Sequence, residues 1–160
     1  MAAQTTLAGG VHDFDFLIGS WNVLNRRLKK RFIGSHEWDE FPATSALETR
    51  MGGVVNIDEY LAPARGFSGT TLRVLNHQTR QWAIYWINSR NGVLSPPVFG
   101  GFHGQRGEFY GEDTDDGKAV KVRFLWTKLG ANNARWEQAF SLNGETWETN
   151  WIMEFARART

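Results

Sequence analysis

Trp136-Glu137-Gln138-Ala139-Phe140-Ser141-Leu142-Asn143-Gly144-Glu145-Thr146-Trp147-Glu148-Thr149-Asn150-Trp151-Ile152-Met153-Glu154-Phe155 is the stretch on which the fold turns. Apolar and polar residues alternate on either side of Asn143-Gly144, the period of a half-buried strand. Asn-Gly between two such runs is the strongest short signal for a hairpin, because both residues accept the positive φ that a tight turn demands. The reading is a hairpin over 134–142 and 146–157. On its second strand Trp147, Thr149, Trp151, Met153 and Phe155 share one face, and Glu148, Asn150, Ile152, Glu154 and Ala156 share the other. The first set is the more apolar and is assigned to the interior, together with Trp136, Gln138 and Phe140, since a one-residue slip would invert every side chain. Arg157 has the parity of Phe155, which sends it to the interior end of the last strand.

The same period extends upstream. Lys118 to Lys128 sets Val120, Val122, Phe124 and Trp126 on one face, after a turn at Asp113-Thr114-Asp115-Asp116-Gly117. Gln81 to Asn88 sets Trp82, Ile84 and Trp86 together, and Thr70 to Leu75 precedes it across the turn Asn76 to Arg80. Further back come 54–60 after the Gly52-Gly53 break, 36–48 with Pro42 marking an edge or bulge, and 20–33. Residues 89–105 read as loop, Glu108 to Gly111 as a short strand, and 12–18 as a short helix ending at Gly19. About eight to ten strands joined by hairpins give an all-β antiparallel up-and-down β-barrel, whose closure removes its edges. Residues 1–10 are expected to be a flexible N-terminus and 11–160 a single barrel domain.

Composition narrows the function. With no cysteine there is no disulfide, thiolate metal site or thiol nucleophile. A net charge of +1 supplies no global field toward nucleic acid or anionic lipid, and no partner of either kind is expected. No apolar run is long enough for a membrane helix, and Met1 to Gly10 lacks the pattern of a signal peptide, so a cytoplasmic protein is expected. Eight tryptophans in 160 residues, several at strand spacing, furnish the barrel with an aromatic interior.

Gly19-Ser20-Trp21 at the head of the first strand, with Arg157 near the end of the last, resembles the calycin superfamily of lipocalins and fatty-acid-binding proteins. The resemblance implies that Trp21 plugs one end of the barrel and that Arg157, or Arg159 in its stead, lies across it as a structural closure. A guanidinium stacks on an indole face and caps nearby carbonyls. Phe14-Asp15-Phe16-Leu17-Ile18-Gly19-Ser20-Trp21, Trp136-Glu137-Gln138 and Trp147-Glu148-Thr149-Asn150-Trp151 are similar to a group of bacterial lipocalin-like proteins of unknown function. One calycin-like branch, the nitrobindins, binds haem through a histidine on a late strand. The four histidines here, at 12, 36, 77 and 103, include none after His103, so only His36 or His103 is left as an axial candidate. None stands in a paired ligand spacing, and neither a metal nor a cofactor is expected.

The interior supplies the candidate site. Trp82, Trp86, Trp126, Trp136 and Trp151 offer area to a planar ligand, and Gln138, Thr149 and Asn56 offer polar handles. The expected function is binding of a small hydrophobic or aromatic molecule in the lumen. The alternative is a cofactor-independent isomerase, cyclase or hydrolase acting on a small apolar substrate there. Its proton-transfer candidates are His36, Glu40, Asp58 and Tyr85. His36 and Glu40 lie about 13 Å apart by strand rise, so they would address opposite ends of a ligand rather than each other. An assembly role through outward-facing Leu24, Leu28, Leu125 and Ile152, giving a homodimer, is the third reading. The basic run Arg26 to Arg31 reads as a solvated, salt-bridged hairpin.

Overall fold

The computed structural model describes residues 8–159, and ten antiparallel strands close into one barrel. They are β1 (Gly19–Leu28), β2 (Trp38–Arg50), β3 (Val55–Ala62), β4 (Phe67–Leu75), β5 (Trp82–Asn88), β6 (Val98–His103), β7 (Arg106–Asp115), β8 (Lys118–Gly130), β9 (Asn133–Ser141) and β10 (Glu148–Arg157). Each strand pairs with the next, and β10 returns to β1, with Trp21 opposite Arg157 and Arg27 opposite Trp151. The strict alternation of β1, where Trp21, Val23 and Asn25 are buried between exposed Asn22, Leu24 and Arg26, is the period-two pattern of a wall with one wet face. No helix among the described residues is long and apolar enough to cross a membrane.

Several expectations are corrected. The helix over 12–18 is a single 3-10 turn, Asp15–Leu17. Only three residues separate Phe14 from Ile18, whose extended backbone already enters the barrel wall, so there is no length in which to repay helix nucleation. Pro42 does mark a local edge, on the flank of β2 away from β1. It lies inside β2 opposite Leu24 of β1, while β2 pairs with β3 only from Thr44 onward, so one flank of the proline is unpaired and its missing N–H costs no ladder bond. The stretch 89–105 contains β6, and β7 is longer than its apolar core suggested. Of the expected flexible segment 1–10, residues 1–7 lie outside the described residues. Gly9 is buried and donates its N–H to the Arg80 carbonyl at 3.0 Å.

The last hairpin is also irregular. Its connection spans 142–147, where the Asn143 side-chain oxygen accepts the N–H groups of Glu145 and Thr146 and Gly144 takes φ +80°. A bulge follows. Thr149 pairs with Ala139 while Trp151 pairs with Gln138, so Asn150 is the extra residue. The bulge reverses the parity of everything before it. Trp147 therefore packs outside, against Arg123 at 4.9 Å and Tyr110 at 6.0 Å, and Thr149 shares the face of Ala139 rather than that of Trp151.

One end of the barrel is plugged. Phe14 lies edge-on to Trp82 and Phe102, at 4.9 and 5.1 Å between ring centres. Trp21 is buried and donates its indole N–H to the Leu17 carbonyl at 2.9 Å. Arg157 lies over the Trp21 ring at 4.1 Å and donates to the carbonyls of Ile18, Phe16 and Ala131. Each aromatic pair adds about 0.5–1.5 kcal/mol beyond its buried area. Leu28, Leu125 and Ile152, expected to form an outer interface, are instead buried within the chain, and only Leu24 of that set is exposed.

Candidate functional site

Above the plug the lumen holds a cavity of about 120 Å³. Its floor is polar. Asp58 and Arg73 point inward from adjacent strands and pair at 3.3 Å, and Arg73 also donates to the side chain of Asn56 at 2.9 Å. Both charges are buried, with side chains 9% and 4% exposed, so each depends on the other. The second oxygen of Asp58 accepts the Thr71 backbone N–H at 2.9 Å. The Arg73 guanidinium lies over Phe14 at 5.0 Å and Trp126 at 5.8 Å. Burial pulls the Arg73 pKa down, and the charge and hydrogen bond of Asp58 push it back up. Its Nε has no partner among the described residues.

The wall is aromatic. Trp126 and Trp136 face each other across β8 and β9, and Trp136 lies edge-on to Phe124 and Trp151 at 5.0 and 5.8 Å. Trp86 lies edge-on to Tyr60 at 5.8 Å. Its ring crosses β4 directly over Gly69, where a Cβ would stand 2.0 Å from the indole, so only glycine admits Trp86 in this position. Behind this wall Asn25 ties three elements together. Its side-chain oxygen accepts from the Tyr60 hydroxyl at 2.7 Å and the Trp151 indole at 3.0 Å, and its amide donates to the Phe41 carbonyl at 3.2 Å. Burial pushes the Tyr60 phenol pKa up, against the opposing charge of Arg27 and the Asn25 hydrogen bond.

Indole donors sort into two groups. Those of Trp21, Trp82 and Trp151 have protein acceptors, namely Leu17, Asp13 and Asn25. Trp86, Trp126 and Trp136, all lining the cavity, make no indole hydrogen bond to any described residue. Gln138, also in the wall, donates its amide to Asn150 at 2.8 Å, which leaves its carbonyl oxygen without a described donor.

Five of the eight expected ligand residues thus line the cavity: Trp86, Trp126, Trp136, Gln138 and Trp151. Trp82 is in the plug, its indole bonded to Asp13 at 3.0 Å. Asn56 is buried beneath the cavity as a partner of Arg73. Thr149 is placed elsewhere by the bulge. Of the proton-transfer candidates, only Asp58 lines the cavity. His36 is exposed before β2 begins, Glu40 is exposed opposite Arg26, and Tyr85 alternates with inward Trp86 and so faces outward. Sequence reasoning missed Arg73. On β4 the outward positions Leu72 and Val74 are more apolar than inward Thr71 and Arg73, so alternation alone points the wrong way. The signal was Asn56 and Asp58 sharing one face of the neighbouring strand.

The barrel matches a solved structure of an S-type phycobiliprotein lyase from Guillardia theta with a TM-score of 0.56. The likeness covers 92% of this chain and 91% of the lyase at 12% sequence identity, and shows a shared fold. No protein-family model matches the chain, and no curated protein matches it in sequence.

Proposed function

We propose that the barrel binds one small, planar and mostly apolar molecule in its lumen. The observation that carries this reading is the set of three cavity-lining tryptophans, Trp86, Trp126 and Trp136, whose indole donors have no acceptor among the described residues. An indole N–H can only donate, and an aromatic wall with donors left open suits a ring that carries an acceptor. Size agrees with a single ring: a cavity of about 150 Å³ lined by apolar side chains takes up benzene, and the cavity here is about 120 Å³. The fold shared with a phycobiliprotein lyase is consistent with a small hydrophobic ligand. Stacking of Arg157 on Trp21 at the plugged end supports placing the chain among calycins within the same proposal.

The arrangement suits holding better than proton transfer. Asp58 is the only one of the four expected proton-transfer residues in the lumen, and both of its oxygens are engaged, by Thr71 and by Arg73; Asp113, a second carboxylate lining the cavity, accepts the Thr114 N–H. The role of Asp58 in this reading is to fix the Arg73 charge at the floor. Titration of the intrinsic tryptophan fluorescence with single-ring ketones, aldehydes and phenols tests the proposal. Saturable quenching with micromolar to millimolar affinity is expected. It should weaken about tenfold in Trp126→Ala or Trp136→Ala. Quenching by no compound in the panel would sink it.

A further inference from the structure

At the strand ends opposite the plug, three arginines from three different elements converge on one aromatic floor. Arg27, near the end of β1, lies over Phe41, Phe67 and Trp151 at 5.1, 5.4 and 5.1 Å. Arg65, in the connection from β3 to β4, lies over Phe41 at 5.2 Å. Arg90, in the connection from β5 to β6, lies over Phe67 at 5.2 Å. The rings hold the guanidinium planes in place, which removes most of the ordering cost that a flexible surface arginine would incur on binding.

The three are not equally committed. Arg65 forms a two-pronged ion pair with Asp39 at 2.8 and 2.5 Å. Arg90 is exposed and gives one donor to the Arg65 carbonyl. Arg27 is half-buried and makes no hydrogen bond or ion pair to any described residue. Burial pulls its pKa down; Tyr60 and Asp39 oppose that effect, and the like charges of Arg90 and Arg65 add to it. Glu40 also belongs to this end, exposed and opposite Arg26. Asp115 pairs with Arg31, Glu148 accepts the Phe32 N–H, and Asp113 lines the cavity. An excess of positive charge is therefore concentrated on one ring cluster, with the donors of Arg27 unused.

We propose that Arg27 and Arg90, with Arg65 beside them, form an anion-binding site at this end of the barrel, suited to a carboxylate, sulfonate or phosphate group. A bound oxyanion relieves the repulsion among the three guanidinium groups and accepts paired N–H donors from Arg27. Trp151 joins this site to the lumen, because its ring lines the cavity and lies beneath Arg27. The anion thus has two sources: the acidic head of an amphipathic ligand whose apolar body enters the lumen, or a free inorganic oxyanion. The first source rests on the lumen reading, and the second does not.

Two single-ring ketones with one body, read by quenching of the tryptophan emission, separate these cases: 4-acetylbenzenesulfonate and its neutral counterpart acetophenone. The sulfonate is expected to bind about tenfold more tightly than the neutral probe, and Arg27→Gln to abolish that preference while leaving the neutral probe within about twofold. Arg90→Gln should lose part of the preference. Arg27→Lys, which retains charge and stem, should keep part of it and controls for folding together with the circular-dichroism spectrum. Inorganic phosphate should compete with the sulfonate probe in the wild type. Phosphate competition that depends on Arg27, without preference for the sulfonate over the neutral probe, assigns the site to a free anion. Sulfonate binding that depends on Arg27, with no neutral-probe binding, removes the lumen reading and keeps the anion site. If folded Arg27→Gln and Arg90→Gln proteins bind the sulfonate and respond to phosphate as the wild type does, the proposal is overturned.

Discussion

Asp58 and Arg73 are each held in an otherwise aromatic lumen by the other, and removing one charge strands its partner. Asp58→Asn is expected to destabilise the fold by about 3–5 kcal/mol, measured by urea unfolding, because the buried Arg73 charge loses its counter-ion. The double replacement Asp58→Leu with Arg73→Met should recover most of that loss, since paired buried charges are often no better than apolar residues of similar volume. A cost below about 1 kcal/mol for Asp58→Asn would mean that water reaches the pair. Tyr60 makes a different prediction. Its phenol titrates above the ordinary 10.0 because burial disfavours the phenolate. Below that value both states keep the proton and the stability is fully present. As pH rises past it, the unfolded chain releases a proton that the folded chain retains, so stability falls by up to about 1.4 kcal/mol per pH unit. Tyr60→Phe should flatten this alkaline decline. An unchanged slope would assign the effect to other groups.

At the scale of elements, β4 and β5 show how the chain makes room for its wall. Gly69 leaves the space that the Trp86 ring fills, and any side chain there meets the indole within 2.0 Å. Gly69→Ala should cost about 1–3 kcal/mol and shift the tryptophan emission, because the indole must leave its place over β4. Unaltered stability and emission would show that Trp86 swings aside cheaply. The same crowding explains why β6 was hidden. Val98-Phe99-Gly100-Gly101 reads as loop by composition, but a Cβ at Gly100 would stand 1.9 Å from the Glu108 carbonyl oxygen, so that glycine is required by the close approach of β7 rather than by a turn. The β10 bulge escaped for a related reason. Trp147, Thr149 and Trp151 alternate perfectly in sequence, and only the pairing with β9 reveals that Asn150 breaks the count. Local pattern therefore assigned the inward face of β5, β8 and β9, and failed on β4 and the start of β10, where the deciding partner lies on another strand.

Across the whole molecule, the architecture was legible because hairpin after hairpin with one apolar face has few ways to bury that face other than closure. The wall is not uniform. β7 and β8 pair over ten residue pairs, from Arg106 with Thr127 to Asp115 with Lys118, whereas β5 and β6 pair over three, from Trp82 with Gly100 to Ile84 with Val98. Beyond them β5 leans on the loop before β6: Ser95 donates its N–H to the Trp86 carbonyl at 2.8 Å, and its hydroxyl oxygen accepts the Trp86 N–H at 2.9 Å. Hydrogen exchange should therefore be faster for the Trp86 amide than for amides at the centre of β8, and Ser95→Ala should speed it further. Equal rates along β5 and β8 would contradict a weak seam here.

The meeting of β1 with β10 under Arg157 has a temporal meaning as well. A ribosome delivers β1 first, and one of its edges then has no partner until nearly all the remaining strands have been synthesised. The lumen comes into existence only when the last strand emerges and Arg157 reaches the carbonyls of Phe16 and Ile18. A nascent chain stalled before Glu148 is an open sheet with two sticky margins, the form of this protein most in need of a chaperone.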